Sequence, residues 1–158
     1  MFIDRIWFTH RCLCLFFSLI AHILGQPVKQ ELGEKKVYAI DNGLLNAITF
    51  KFSKDYGKLL ENTIFTELYK SGKKVFFYKN KRECDFIVFD QSRITDVIQV
   101  SYTITERKTR QRELEGLIDA CKKVSVKEGC LITATEEENI MERGIAIKVV
   151  PAYKYVIA

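Results

Sequence analysis

Residues 83–89 read ECDFIVF and residues 96–102 read DVIQVSY, and these two runs decide the fold class. Both are rich in β-branched and aromatic residues and have the length of strands. Most of their residues are apolar, which is typical of central strands covered on both faces. A polar side chain facing inward from such a strand needs a partner, so Asp85, Gln99 and Ser101 require an explanation.

The segments around these two strands predict an α/β domain. A strand is predicted at residues 75–79, and a helix with an apolar stripe at residues 106–123. Two more strands are predicted at residues 129–133 and 145–150, and the acidic stretch 136–139 between them is predicted to be a loop entering a short helix. A strand–helix–strand crossover implies a parallel pair of strands. We therefore expect a central mixed β-sheet flanked by helices.

A helix at residues 56–71 precedes the three strands and ends at Gly72. Its apolar stripe consists of Leu60, Ile64, Phe65 and Leu68. On a helical wheel Glu61 falls inside this stripe, so its carboxylate must be protonated, paired or bound to a cation. Glu67 borders the same face and is the alternative residue for that role.

The N-terminal part of the chain differs in character from the rest. An apolar run at residues 12–24 follows Arg5 and Arg11, as in a signal peptide, but no small-x-small cleavage site follows it. The run is also shorter than the ~20 residues that span a bilayer. We expect an internal segment of a larger protein there, no membrane contact, and a short strand at residues 35–40.

Charge and cysteine content narrow the function classes. The chain is 47% hydrophobic and 28% charged with a net charge of +5, a modest excess that suits an anionic partner. Two basic runs flank the polar strand residues: Lys70, Lys73, Lys74, Lys79, Lys81 and Arg82, then Arg107, Lys108, Arg110 and Arg112. Each run alone is typical of a solvated face, whereas the two together favour phosphate contact. Five cysteines without a C-x-x-C pair disfavour a zinc ribbon and indicate a reducing, cytoplasmic setting.

The element order, with Glu61 in the first helix, Asp85 in the second strand and Gln99-x-Ser101 in the third, resembles the PD-(D/E)XK nuclease superfamily. A narrower resemblance covers residues 35–157 and is to the uncharacterised domain that follows the ATPase module in many prokaryotic AAA-type ATPases. Four motifs carry it: residues 36–44 (KVYAIDNGL), Gly57-x-x-x-Glu61-Asn62, Glu83-x-Asp85-Phe86 and Gln99-Val100. It implies a restriction-endonuclease-like domain at residues 35–158. Residues 1–34 would then be a truncated segment, part of a winged-helix-like region in longer relatives.

The resemblance also implies roles for single residues. Glu61, Asp85 and Gln99 would hold Mg²⁺, and the position of the catalytic lysine is Ser101. Serine carries no positive charge, so cleavage is in doubt. Arg110 is the candidate substitute charge, although an arginine cannot act as a base. The residues expected to contact nucleic acid are Lys79, Lys81, Arg82, Arg107 and Arg110.

Three functions follow as hypotheses. The first is a nuclease-like domain that has lost the ability to cleave. It would bind DNA or RNA, or regulate an ATPase module that is normally on the same chain. The second is an active Mg²⁺-dependent phosphodiesterase in which Arg110, or a lysine from another element, replaces the catalytic lysine that is missing at Ser101. The third is a protein-interaction domain whose carboxylates are satisfied internally. No G-x-x-x-x-G-K-[ST] motif occurs in the sequence, so the ATPase itself lies elsewhere.

Overall fold

The computed structural model describes residues 17–21, 35–39, 41–43 and 56–157. The expectations for residues 1–16 and 22–34 therefore lie outside the described part of the chain. Within the apolar run 12–24, Phe17–Ala21 forms strand β1, which pairs antiparallel with β2, Lys35–Ala39. Among the residues described, no helix is both long and apolar enough to cross a membrane.

The remaining elements follow the predicted order, with two additions. They are α1 Tyr56–Lys70, β3 Lys74–Lys79, β4 Glu83–Asp90, β5 Arg93–Val100, α2 Arg107–Lys123, β6 Glu128–Thr133, β7 Glu138–Glu142, β8 Ile145–Pro151 and α3 Ala152–Ile157. The additions are β7 and α3.

A second sheet has six strands in the order β3-β4-β5-β6-β8-β7. The first three strands form an antiparallel meander. Strand β6 is parallel to both β5 and β8, as the crossover through α2 requires, and β7 closes the edge antiparallel to β8. The prediction of a mixed α/β sheet flanked by helices is confirmed.

The predicted loop is present at residues 136–137, but the short helix predicted to follow it is wrong, because Glu138–Glu142 is a strand. This strand forms a hairpin with β8 whose two turn residues, Arg143 and Gly144, have φ values of 49° and 79°. Two consecutive positive φ angles match the twist of a two-residue hairpin. The acidic residues at the start of β7 obscured its alternation of half-buried and exposed positions.

Apolar side chains pack on both faces of the sheet. One core packs α2 against the sheet through Leu114, Leu117, Ile118 and Cys121, and the other packs α1 through Ile64, Phe65 and Leu68. Tyr155 of α3 adds to the second core. Cys84 and Cys121 are buried free thiols, as expected for cysteines that act as small apolar residues.

Helix α2 lies unusually close to strand β4. A Cβ added at Gly116 would stand 2.3 Å from the carbonyl oxygen of Glu83, so only glycine fits there. This contact fixes α2 against the first residues of β4. Two carboxylates of the candidate site, Glu83 and Asp85, also lie among the first residues of β4.

Candidate functional site

The side chain of Lys36 lies among three carboxylates, which we call the acidic cluster: Glu61, Glu83 and Asp85. The ammonium nitrogen is 3.0 Å from Glu61 Oε1, 2.7 Å from Glu83 Oε1 and 2.8 Å from Asp85 Oδ1. Asp85 is almost wholly buried, whereas the side chain of Glu83 is 42% exposed. The structure therefore brings Glu61 and Asp85 to the same point and places a lysine between them.

Three elements build this arrangement. Strand β2 supplies Lys36, helix α1 supplies Glu61, and strand β4 supplies the other two acids. Asn62 joins β2 to α1: its Oδ1 accepts from the backbone N–H of Ala39 at 2.8 Å, and its Nδ2 donates to the carbonyl of Ala39 at 2.9 Å. A side-chain amide that bonds both backbone groups of one residue replaces a strand neighbour there, and so fixes the direction of β2.

Tyr38 reaches the cluster from the same strand. Its hydroxyl donates to Glu61 Oε1 at 2.6 Å, and its ring stacks on Phe65 with a centroid distance of 4.3 Å. Burial, reinforced by the charge of Glu61, raises the pKa of this phenol far above its usual value. Tyr38 therefore acts as a hydrogen-bond donor to Glu61 and not as a proton shuttle.

Both oxygens of Asp85 are occupied. Oδ1 accepts from Lys36, and Oδ2 accepts from the backbone N–H of Val100 at 2.9 Å. Burial and then the charge of Glu61 raise the pKa of Asp85, while Lys36 opposes that shift. For Lys36, burial alone would lower the pKa, but the charges of Asp85 and Glu61 outweigh burial and raise it. The lysine therefore stays protonated and cannot serve as a general base.

Gln99 bonds to the backbone of Asp85 and not to its carboxylate. Its Oε1 accepts from the backbone N–H of Asp85 at 3.2 Å, and its Nε2 donates to Glu113 Oε2 at 2.6 Å. The second oxygen of Glu113 accepts from Arg112. These partners fix the orientation of the amide, whose oxygen faces the backbone N–H of Asp85.

The other two predicted catalytic positions lie apart from the cluster's contacts. Ser101 Oγ donates to the carbonyl of Thr103 at 3.0 Å. Arg110 makes a two-pronged ion pair with Glu138 at the start of β7, with Nη2 at 2.9 Å from Oε2. The hydrogen bond to Glu138 raises the pKa of Arg110, so the guanidinium stays charged. Its charge is paired with Glu138 and not with a carboxylate of the cluster.

The acidic cluster does not fit Mg²⁺ as it stands. Mg²⁺ requires near-octahedral oxygen ligands at about 2.0–2.1 Å. Here three oxygens surround a nitrogen at 2.7–3.0 Å, the spacing of an ammonium ion pair. Among the residues that the structure describes, no group of three His, Cys, Asp or Glu side chains is arranged to hold a metal ion.

Two of the predicted nucleic-acid contacts are ion-paired: Arg82 with Glu115 at 2.5 Å, and Arg110 with Glu138. Lys79, Lys81, Arg82 and Arg107 are exposed. The pairing of Phe86 with Ile98 puts the start of β4 beside the end of β5. The turn that carries Lys81 and the start of α2 therefore lie at the same end of the sheet as the acidic cluster.

Sequence reasoning missed Lys36, Tyr38 and Glu83. Two signals were present in the sequence. Glu83 shares its strand face with Asp85 by the period of two, and Lys36 and Tyr38 share a face of β2 by the same period. The pairing of β2 with α1 has no such local signal, because it joins residues far apart along the chain.

Three comparisons with known proteins bear on the chain. A family model described as "Domain of unknown function (DUF4143)" matches residues 56–155. Uncharacterized protein MJ1544 of Methanocaldococcus jannaschii is 30% identical over 131 residues, a match that covers 76% of this chain and 29% of the archaeal protein. The chain thus spans less than a third of the length of that curated relative. No solved structure matches the chain significantly.

Proposed function

Because the chain belongs to the family of domains of unknown function named DUF4143, whose description assigns no activity, we propose a function from the site itself. The domain is a nuclease-like module that binds nucleic acid without cutting it. It acts together with an ATPase module that longer relatives carry on the same chain. The observation that carries the proposal is the ammonium of Lys36 between Glu61 and Asp85.

The position of Lys36 argues against cleavage. A metal-dependent nuclease needs its carboxylates free for the ion that activates water and stabilises charge on the phosphate. In this chain one positive side chain already neutralises part of the cluster, and the oxygen of Gln99 is bonded to the backbone. Ser101 supplies no charge beside them.

Phosphate contact is supported by the exposed cations around the site. Lys81 and Arg107 are exposed at the end of the sheet that carries the acidic cluster, and Arg112 is 65% exposed beside Glu113. Lysine and arginine side chains in such a group bind the nucleic-acid backbone mainly by releasing counterions. These cations lie outside a cluster with excess negative charge, so the phosphates would contact the exposed cations and not the centre of the site.

The link to an ATPase rests on length and resemblance. The matched segment makes up 29% of the archaeal relative, which leaves room in that protein for at least one further domain. We infer that a domain of this kind positions nucleic acid for, or transmits its binding to, an ATPase module on the same chain.

The test is a titration of a fluorescent oligonucleotide at several salt concentrations. Wild-type binding should weaken steeply with salt, and the double variant Lys81→Gln/Arg107→Gln should lower the slope of log K against log salt by about 2. The matched control is Lys123→Gln, an exposed lysine at the opposite end of α2. Absence of binding at low salt would contradict the proposal and favour a protein-interaction domain.

One observation favours an active phosphodiesterase as the second candidate. Lys36 is a lysine from another element that reaches both acids, so it could replace the charge that Ser101 lacks. Cutting of plasmid or RNA with Mg²⁺ or Mn²⁺ that disappears in both Lys36→Met and Asp85→Asn would establish this candidate. Lack of cutting by a folded wild-type protein that binds the same substrate would exclude it.

A further inference from the structure

Tyr56 and Tyr102 form an aromatic pair on the surface. Their ring centroids are 5.3 Å apart with an angle of 27° between the planes, which is a stacked arrangement. Each residue is nearly half exposed, at 47% and 46%. Large aromatic side chains usually bury most of their area, so two that stack on each other while exposed leave ring surface available for a third flat group.

The pair lies at the end of the sheet that carries the acidic cluster. Tyr102 comes two residues after Val100, whose backbone N–H donates to Asp85. Tyr56 is the first residue of α1, the helix that also carries Glu61. Arg107 begins α2 five positions after Tyr102 and is exposed. Aromatic surface and positive charge therefore occur together.

The segment that carries Tyr102 is held in place. The carbonyl of Tyr102 accepts from Ala134 N–H at 3.1 Å, and Ser101 Oγ donates to the carbonyl of Thr103. Just beyond, Glu136 Oε1 accepts from the backbone N–H of Ile104 at 3.0 Å. A ring on a fixed backbone with two side-chain torsions loses little entropy when it binds a ligand, so it is well suited to stacking.

We propose that Tyr56 and Tyr102 form a stacking platform for an unpaired nucleobase, so that the domain binds single-stranded rather than duplex nucleic acid. This inference rests on the proposed function. In a duplex both faces of each base are covered by neighbouring pairs, so only a base at an end or in a single strand can stack on a tyrosine. Exposed cations nearby would hold the phosphates on either side of that base.

The test compares a labelled oligodeoxythymidylate with a closed circular duplex, which has neither ends nor loops, at equal phosphate concentration and with the full chain. Oligodeoxythymidylate should bind more tightly. Tyr102→Leu should weaken its binding about tenfold and leave duplex binding unchanged, because stacking is lost and phosphate contact is kept. Tyr102→Phe should retain binding, since it keeps the ring. Tyr153→Leu is the control, because Tyr153 is 60% exposed on α3.

Tyr56→Leu is the second variant, and circular dichroism establishes that each variant is folded. Equal affinity for both probes, or salt-sensitive binding that neither leucine variant changes, would overturn the platform and leave the proposed function standing. Absence of binding to either probe at low salt would overturn both. A tenfold loss that phenylalanine does not restore would overturn stacking and indicate a role for the hydroxyl.

Discussion

The ammonium of Lys36 lies 2.8 Å from Oδ1 of Asp85, although 49 positions separate the two residues along the chain. One residue belongs to the two-stranded sheet and the other to the six-stranded sheet. Removing one partner of a buried ion pair leaves the other charge without compensation, which costs far more than the pair contributes. This relationship therefore dominates the behaviour expected of the site.

Replacing Lys36 by methionine should lower the free energy of unfolding by about 2–4 kcal/mol near neutral pH, because three carboxylates lose their shared cation. The cost should shrink at about pH 5, because burial and the charge of Glu61 raise the pKa of Asp85 to about 7 and its carboxyl is then protonated. Urea denaturation at both pH values measures it. The matched control is Lys81→Met, an exposed lysine, which should change stability by less than about 0.5 kcal/mol. Equal losses in both variants would contradict the interpretation.

The same substitution should create affinity for a divalent ion. With the ammonium gone, Glu61, Glu83 and Asp85 face one another without a cation, and a small divalent ion would relieve their repulsion. Calorimetric titration with Mn²⁺ should therefore show a site in Lys36→Met that is much weaker or undetectable in the wild type. Equal Mn²⁺ binding in both proteins would mean that Lys36 does not oppose the ion.

The titration of Asp85 predicts how stability varies with pH. Burial and the charge of Glu61 raise its pKa from 3.8 to about 7. Between these values the folded protein holds a proton that the unfolded chain has lost, so a rise in pH lowers the free energy of unfolding. In Asp85→Asn this dependence should be absent. Denaturation curves of both proteins from about pH 4 to pH 7 test the sign, and a wild type that gains stability relative to the variant would refute it.

Gly116→Ala should destabilise the protein by about 1–3 kcal/mol, although alanine normally favours a helix over glycine. The reason is the Cβ, which would stand 2.3 Å from the backbone oxygen of Glu83 and force α2 away from β4. Thermal unfolding measures the loss. Lys108→Ala, at an exposed position of the same helix, should leave stability nearly unchanged or slightly improved.

Asn62→Ala should cost about 1–3 kcal/mol, because both backbone groups of Ala39 lose a buried partner. The amide of Ala39 should then exchange with solvent faster, which hydrogen exchange detects at a single residue. Thr66→Ala serves as the control, because its hydroxyl bonds only to the carbonyl of Asn62 within the helix. Unchanged exchange at Ala39 would show that other contacts hold β2.

Local periodicity in the sequence predicted the central sheet and the two long helices. Strands β4 and β5 are short apolar runs that favour a strand over other secondary structures, and α1 and α2 repeat apolar residues at helical spacing. The same reasoning singled out Glu61 and Asp85, because a carboxylate in an apolar pattern demands a partner. The structure brings both to one ammonium.

The identity of that partner could not be predicted. Lys36 is one of many lysines, and no local pattern indicates that β2 packs beside α1. The orientation of the Gln99 side chain could not be predicted either, because it depends on a hydrogen bond to Glu113 of α2. The rotation of α2 about its axis is in turn fixed by the contact of Gly116 with β4. Arg110 was placed by wheel geometry on the sheet side, but β7, which was not predicted, provides Glu138 as its partner.

Lys36 lies on β2, outside the six-stranded sheet, and this limits where the chain can be cut into a stable fragment. The family match begins at residue 56, twenty positions beyond Lys36, so a fragment cut at that boundary would keep all three acids and discard their counter-ion. Such a piece would be least stable in alkaline buffers without divalent ions. Anyone who expresses the domain separately, or transplants it onto another protein, should retain the preceding strands.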